Sequence, residues 1–323
     1  MLIHKSVLMS AVTGIVLASS SISQAALLAY EGFNYTNGSG LNNVSSGGTG
    51  FGTNSWLHSG SNAPTVGAGL SLGNLQVSGG AAVMTGRGDQ GTNILTRTVG
   101  TPATTGTNLY FSFLHRRDTW KNSSNQDATN WRTGWTSVGI ADTANRNVNN
   151  GNNAMFDRGV VYINRFGEEN AGVGYTPSPS ANSAANRNIT MLVGTTYLFV
   201  GKFTNLGSTQ QEAKMWILNA ANVTAIGLLS SPTDTNLNTN SIARATLASS
   251  LTMSSSFNTG NVVKLLTQGQ DSLTYTDRFD ELRFADTSSG NAIAQVIPVP
   301  EPTTIGLIGL AAVGLLSRRR RMA

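Results

Sequence analysis

Short runs of hydrophobic and β-branched residues alternate along the middle of the chain with stretches rich in Gly, Asn, Ser and Thr. In residues 109–113 the side chains of Leu109, Phe111 and Phe113 fall on one face, which is the period of two that a strand with one buried side shows. Runs of strand length predict strands at residues 27–33, 81–85, 93–99, 108–114, 136–140, 159–165, 196–203, 212–218, 262–267 and 278–285.

The last of these runs alternates charged residues with hydrophobic ones. Leu282 and Phe284 are predicted to face inward, and Glu281 and Arg283 to face outward. Asp280 and Glu281 are adjacent, so we expect them to point to opposite faces and to tie this strand to its neighbours by hydrogen bonds.

Outside the two ends of the chain, no window shows the period of 3.6 residues that marks an amphipathic helix. Many short strands separated by turn residues are typical of an all-β fold, here an antiparallel β-sandwich of the jelly-roll kind. Because no repeat, charge block or Pro-rich stretch interrupts residues 26–290, they are predicted to form one domain, followed by a linker at 291–298.

The first 25 residues have the layout of a secretory signal peptide. Lys5 supplies a positive charge, residues 7–18 are mostly apolar, and small residues lead up to Ala25, after which we predict cleavage. The segment is expected to be helical, with the export translocon and signal peptidase as its partners.

The last 25 residues have three parts in a fixed order. They are the motif Val299, Pro300, Glu301 and Pro302, an apolar or small-residue run at 303–317, and the arginines Arg318, Arg319, Arg320 and Arg321. About 15 residues at 1.5 Å of rise make roughly 22 Å of helix, which predicts a short transmembrane helix. The arginines predict a cytoplasmic C-terminus, so the rest of the chain is expected outside the membrane.

In these residues the chain resembles the PEP-CTERM sorting domain, which is found on exported proteins of Gram-negative bacteria that make extracellular polysaccharide. The resemblance implies that Pro300, Glu301 and Pro302 are recognised and processed by an exosortase, a transpeptidase-like membrane enzyme. It also implies a protein anchored in the membrane of the cell envelope, which reaches the cell surface or the extracellular space once its tail is processed. Catalysis at the motif would belong to the partner.

The body resembles the concanavalin A-like, laminin-G-like jelly rolls of exported bacterial proteins. This resemblance is carried by residues 28–33, 109–113, 196–202, 214–218 and 279–284, and it covers nearly all of residues 27–287. It implies that the first and last strands pair. Laminin-G-like domains often bind calcium, and the Asn-rich residues 142–157 offer suitable oxygens, but they lack EF-hand spacing and a plain polar loop is the preferred interpretation.

The amino-acid composition excludes several kinds of catalytic and binding site. The chain has no Cys, which excludes disulfides, thiolate metal sites and cysteine nucleophiles. The net charge of +5 comes mainly from the terminal segments, so nucleic acid is not an expected partner. Arg116, Arg117 and Lys121, interrupted by Asp118, are interpreted as a solvated strand end.

Metal and nucleophile motifs give little support for an enzyme. His58 and His115 are the histidines that follow the signal peptide, and their spacing predicts no metal site, so no cofactor is expected. Residues 69–73 match the G-x-S-x-G nucleophile elbow, and Asp89 precedes His115 as in hydrolases. No helical pattern follows the motif, so a turn-flanked strand is the preferred interpretation.

Paired carboxylates are the remaining enzymatic feature, because several glycoside hydrolases use two acids on a jelly roll. Glu168 and Glu169 are adjacent, as are Asp280 and Glu281. Neither pair has the spacing that places two acids on one strand face. The enzymatic interpretation therefore remains the alternative.

Three tryptophans form the candidate glycan-binding site. Trp120, Trp131 and Trp135 fall within 16 residues, among Arg, Asn and Gln side chains. Aromatic faces beside hydrogen-bond donors suit sugar rings, although packing in the core is the default role of Trp.

Together these patterns predict an exported protein of the cell surface or extracellular matrix, sorted through its tail, whose sandwich is non-enzymatic and has extracellular polysaccharide as its candidate ligand. The alternative is a secreted carbohydrate-active enzyme, similar to a glycoside hydrolase, on the same fold. A coat protein without a small ligand is a third interpretation.

Overall fold

The computed structural model describes residues 27–45, 47–87, 92–101, 103–121, 135–141, 160–163, 171–174, 191–206, 211–251, 262–268 and 274–298. Within these ranges the strands are β1 (Ala29–Glu31), β2 (Leu57–Ser59), β3 (Thr65–Ala68), β4 (Gly80–Arg87), β5 (Thr92–Thr98), β6 (Leu109–Lys121), β7 (Trp135–Ala141), β8 (Val160–Ile163), β9 (Ala171–Gly174), β10 (Tyr197–Phe203), β11 (Gln211–Leu218), β12 (Ala243–Leu251), β13 (Val262–Gln268) and β14 (Thr274–Asp286). All ten predicted strands are confirmed.

These strands form two antiparallel sheets. The first sheet has the order β12-β11-β10-β6-β14-β4-β3, with β1 also paired to β14, and the second has the order β2-β5-β13-β7-β8-β9. The all-β antiparallel sandwich predicted from the sequence is therefore present. Pairing of β1 with β14 confirms the expectation that the first and last strands meet.

The core between the sheets is rich in aromatic rings from the first sheet. Phe113 stacks on Phe199 with ring centroids 5.1 Å apart, and Phe111 stacks on Phe203 at 5.6 Å. The second sheet contributes aliphatic side chains to the same cluster, among them Leu95, Val138, Val263 and Leu265. Burial of each large side chain contributes about 1.5–3 kcal/mol, so this interface supplies much of the stability of the domain.

A layer of short helices covers the outer face of the first sheet. It consists of α1 (Ala220–Gly227), α2 (Asp234–Asn240), α3 (Ala292–Val296) and the loop at 69–79. Capping boxes begin α1 and α2, because Asn219 and Asn222 bond reciprocally, as do Thr233 and Asn236. The helices have 5 to 8 residues each, which is too short for a helical period to stand out in the sequence.

Residues 291–298, predicted as a linker, hold α3 and belong to the folded layer. Ile293, Val296 and Ile297 are buried against the sheet. The carbonyl of Pro298 accepts a hydrogen bond from the Gln76 N–H at 2.9 Å. The chain is therefore fixed to the domain as far as Pro298.

A bulge in β14 changes its neighbour within the first sheet. Residues 274–279 pair with β4, whereas residues 282–284 pair with β1. Glu281 lies between the two segments with φ 53, a conformation that non-glycine residues rarely adopt. Glu281 and Arg283 are buried rather than facing solvent as predicted, because the loop at 69–79 packs over this side of β14.

In the part of the chain that the structure describes, no helix is both long and apolar enough to cross a membrane. The predicted signal peptide (1–25) and transmembrane helix (303–317) lie outside the described residues.

Candidate functional site

Strands β6 and β13 end, and strands β7 and β14 begin, at one end of the sandwich, which we call the tryptophan end. Trp120, near the end of β6, is in register with Tyr275 at the start of β14. Trp135, the first residue of β7, is in register with Gln268 at the end of β13. Because β13 ends at Gln268 and β14 begins at 274, the two tryptophans occupy the same end of the molecule on opposite sheets.

A buried ionic cluster joins the two sheets beneath these strand ends. The Arg117 guanidinium donates to Asp277 from Nε at 2.8 Å and from Nη2 at 3.2 Å. Nη2 also donates to the hydroxyl of Thr136 at 2.9 Å, and that hydroxyl bonds Asp277. Arg117 and Asp277 belong to the first sheet and Thr136 to the second, so the cluster fixes the position of one sheet over the other.

Two rings complete the cluster. The Arg117 guanidinium lies over the ring of Tyr275, 4.2 Å from its centroid, which is a cation–π contact. His115 Nε2 is 3.3 Å from Asp277 Oδ1, and the imidazole packs against the rings of Phe199 and Phe279. All the charges of this cluster are shielded from solvent.

Burial and charge shift the pKa values of these groups in opposite senses. Burial lowers the pKa of His115 below its ordinary value, although Asp277 opposes the shift. Burial, the largest single effect, would raise the pKa of Asp277, but the charges and hydrogen bonds of Arg117 and His115 together outweigh burial and lower the pKa well below its usual range. Asp277 is therefore a carboxylate throughout the physiological range, paired with a permanent cation.

The interpretation of Arg117 as part of a solvated strand end is wrong, because its side chain is fully buried. A signal was present in the sequence. The alternation of Leu109, Phe111 and Phe113, continued along β6, places residues 115 and 117 on the inner face. Arg116 and Asp118 are the partly exposed pair on the other face, as expected for a strand surface.

A second buried ion pair spans the sandwich near β1. Glu31 accepts hydrogen bonds from the Phe33 N–H at 2.8 Å, the Tyr35 hydroxyl at 2.9 Å and the Trp56 indole at 3.1 Å, and it pairs with Arg97 of the second sheet. Because Glu31 is buried and accepts from four donors, this carboxylate is held in a structural role.

The bulge in β14 is held by its two acids, as predicted for Asp280 and Glu281. Asp280 accepts N–H bonds from Leu70 and from Glu281, both at 2.7 Å. Glu281 accepts from the Ser78 N–H at 2.6 Å and the Tyr30 hydroxyl at 3.0 Å, and it pairs with Arg283. Burial raises the pKa of Asp280 to about 8, although the Leu70 N–H acts in the other direction.

The remaining candidate chemistry has little structural support among the described residues. Residues 69–73 form a loop after β3 with no helix behind them, which is not the strand–turn–helix context of a nucleophile elbow. No group of three or more His, Asp or Glu side chains within the described ranges could hold a metal ion. Asp89, Glu168, Glu169 and residues 142–157 lie outside those ranges.

Several predicted site residues also lie outside the described residues. They are Ala25, Trp131, the motif Val299, Pro300, Glu301 and Pro302, and the arginines Arg318, Arg319, Arg320 and Arg321. Trp120 and Trp135 are placed by their strands at the tryptophan end. Sequence reasoning missed the buried polar residues that support this end, namely His115, Arg117, Thr136, Tyr275 and Asp277.

Comparison with known families accounts for the tail of the chain. Residues 298–321 match the PEP-CTERM protein-sorting motif. The PEP-CTERM motif indicates export and membrane-anchored sorting at the cell envelope, and it implies an exosortase-type processing partner. The match begins at Pro298, the last residue of the helical layer that the structure describes.

Among solved structures, alginate lyase Aly36B is similar over 79% of this chain and 95% of its own, at 14% identity and a TM-score of 0.39. An endo-β-1,4-glucuronan lyase from the fungus Trichoderma reesei is similar over 84% and 98%, at 11% identity and a TM-score of 0.41. The carbohydrate recognition domain of Emp47p is similar over 77% and 93%, at 8% identity and a TM-score of 0.41. These scores are too low to carry an activity to this chain. No curated protein matches the sequence.

Proposed function

We propose that this protein is a non-enzymatic, polysaccharide-binding protein of the cell surface or extracellular matrix. In this proposal residues 303–317 anchor the chain in the membrane until an exosortase-type enzyme processes the PEP motif. The sandwich then binds extracellular polysaccharide at the tryptophan end.

The observation that carries the binding proposal is the placement of Trp120 and Trp135 on two sheets that the Arg117–Asp277–Thr136 cluster locks together. Sugar rings bind well to aromatic faces whose spacing is fixed before the ligand arrives, because little conformational entropy is then lost on binding. A rigid buried cluster directly beneath the strand ends supports such preorganisation.

The roles of the buried acids favour binding over catalysis. Asp277, Glu31 and Glu281 are each paired with an arginine and bonded by further donors. A general acid or base needs access to substrate, and buried carboxylates held in this way are poorly suited to that task. A secreted carbohydrate-active enzyme remains the alternative, and the same experiment tests it.

The experiment measures binding of the full-length protein to extracellular polysaccharide purified from the producing strain. We expect Trp120→Ala and Trp135→Ala each to weaken binding about tenfold, the loss expected when about 1.4 kcal/mol of stacking is removed. Trp120→Phe and Trp135→Phe are the matched controls, because they retain an aromatic face, and they should bind within about threefold of wild type.

Two outcomes contradict the proposal. Wild-type affinity in both alanine variants would remove the tryptophan end as the binding site. Release of reducing ends or unsaturated sugars during incubation would establish the enzymatic alternative instead.

A further inference from the structure

The described part of the helical layer ends at Pro298, close in sequence to the apolar segment of the tail, and we call Pro298 the exit point. Pro298 is bonded to Gln76, and Ile297 is buried in the helical layer. Four residues, 299–302, lie between Pro298 and Thr303, where the apolar run begins. Even fully extended, the five residue steps from Pro298 to Thr303 span at most about 18 Å. If residues 303–317 cross the bilayer, the helical layer is held beside the membrane surface.

The layer has the composition of a surface that can lie against lipid. Its segments at 69–79, 219–242 and 287–298 contain a single charged residue, Asp234, although 11% of the whole chain is charged. Asp234 is already engaged by Lys202 Nζ at 2.6 Å and by the Tyr110 hydroxyl at 2.6 Å. Approach to the bilayer therefore leaves no unpaired charge to be desolvated in this layer.

Two exposed hydrophobic side chains lie on the same helical layer as the exit point. Leu228 and Leu229, which follow α1, are 73% and 38% exposed. Their loop is tied to the start of α3, because the Asn291 amide donates to the hydroxyl of Ser231 at 2.9 Å and to the carbonyl of Pro232 at 3.1 Å. α3 has five residues and spans only about 7.5 Å, so this loop and Pro298 lie at opposite ends of one short helix.

A third exposed hydrophobic residue is next in sequence to the residue that bonds the exit point. Val77 is 37% exposed and follows Gln76, whose N–H bonds Pro298. Leu228, Leu229 and Val77 are therefore exposed on the same helical layer as Pro298. We call this the exit surface.

We propose that the exit surface docks on the bilayer in which the tail is anchored, with Leu228 and Leu229 inserted at the level of the lipid headgroups. The proposal rests on the membrane anchoring stated in the proposed function. The partner that covers the exit surface is the lipid bilayer. The short connection between Pro298 and residues 303–317 holds the exit surface close to the membrane, whatever other partners are present. Shallow insertion of leucines beside uncharged polar residues is typical of interfacial membrane contacts.

Docking in this orientation keeps the tryptophan end free. The exit surface belongs to the layer over the outer face of the first sheet, whereas Trp120 and Trp135 lie at strand ends. An anchored molecule thus presents its candidate polysaccharide site away from the contact with lipid.

The test uses the full-length protein in phosphatidylcholine vesicles that contain a headgroup-nitroxide lipid. Because the chain has no Cys, the single-cysteine variants Ser230→Cys and Leu192→Cys can each be labelled with one fluorophore. Leu192 is 46% exposed. It lies close to the tryptophan end, because its carbonyl accepts from the Thr195 N–H and the neighbouring Gly194 N–H bonds the carbonyl of Arg117. We expect nitroxide quenching at position 230 to exceed quenching at position 192 at least threefold.

The contribution of the leucines is tested in the Ser230→Cys background. Leu228→Ser with Leu229→Ser should reduce the quenching at least twofold, while Leu192→Ser, the matched control, should leave it unchanged. Circular dichroism of each variant establishes that the fold is retained. Equal quenching at positions 230 and 192, or no effect of the double substitution in folded protein, would overturn the proposal.

Flotation of the same vesicles after alkaline extraction separates the two possible failures. Protein that floats but shows equal quenching is anchored without docking, so the further inference alone fails. Protein that does not float is not anchored through residues 303–317, and both the anchoring and the docking are then rejected.

Discussion

Asp277 shows how a single buried carboxylate can hold a sandwich together. It accepts from Arg117 on a neighbouring strand and from Thr136 on the opposite sheet. Removing one partner of a buried ion pair is much more costly than removing both, because the remaining charge stays desolvated. The stability of the tryptophan end therefore depends on Asp277 more than on any exposed pair around it.

We expect Asp277→Asn to lower the free energy of unfolding by about 3–5 kcal/mol, since it leaves the Arg117 guanidinium buried without a counter-charge. Urea denaturation of the full chain measures the change. Asp118→Asn, which removes a partly exposed partner of Arg116 and Arg278, is the control and should cost about 1 kcal/mol or less. Equal losses in the two variants would refute the role given to Asp277.

Asp280 predicts a dependence of stability on pH. Its pKa is about 8 in the folded protein against an ordinary value of 3.8, so between these values the folded state binds the proton and the unfolded state does not. Stability contributed by the protonated form is therefore complete below pH 4, declines as the pH rises, and is lost by about pH 8.

The corresponding measurement is the free energy of unfolding at intervals from pH 5 to pH 8.5. We expect it to fall with rising pH in the wild type, and to fall less steeply in Asp280→Asn, which cannot ionise. That variant should be less stable at every pH, because one of the N–H groups of Leu70 and Glu281 loses its acceptor. An unchanged slope in the variant would assign the dependence to another group.

At the scale of single residues, the sequence predicts buried hydrophobic residues well and buried charged residues poorly. Alternation identifies Phe111 and Phe113 as core residues, and both are buried. The same alternation extends to Arg117, but a charged residue is by default expected on the surface. The interaction that reverses this default comes from Asp277, 160 residues away, and such distant pairing cannot be derived from local patterns.

At the scale of elements, strands that are buried on both faces are among those that the sequence reveals. β10 and β13 carry long apolar runs and were predicted nearly to their ends. β2 and β3 have only three and four residues, which is too few for a period of two to be distinguished from chance. α3 lies in residues that the sequence predicts to be a linker, because its five residues show no helical period and its burial depends on the sheet beneath it.

The packing of α3 against the first sheet predicts how much this helix contributes to stability. Ile293→Ala removes a buried side chain from the contact between α3 and the first sheet, and we expect a loss of about 2–5 kcal/mol in the free energy of unfolding. Ala294→Ser, at a partly exposed position of the same helix, is the control and should stay within about 0.5 kcal/mol of wild type. A loss below about 1 kcal/mol for Ile293→Ala would mean that α3 contributes little to the fold.

For the whole molecule, the two ends of the chain define the species that should exist in the cell. We predict a precursor that is cleaved after Ala25 and a mature form that also lacks the apolar tail beyond the PEP motif. Intact-mass measurement on membrane and extracellular fractions tests both events together. Substituting Pro300, Glu301 and Pro302 with Ala should leave the membrane form and abolish the extracellular one, whereas an extracellular full-length tail would exclude processing at this motif.

Closure of the first sheet by β1 and β14 has a consequence for how the protein crosses the membrane. Tyr30 of β1 bonds Glu281 of β14 across 251 residues of sequence. A chain exported with its N-terminus first therefore cannot pair β1 with β14 until nearly the whole domain has emerged, and long-range pairing of this kind is slow to form. Once β14 has joined β1, the sandwich is far wider than an extended chain. Pairing of β1 with β14 therefore prevents the protein from moving back through the translocation pore.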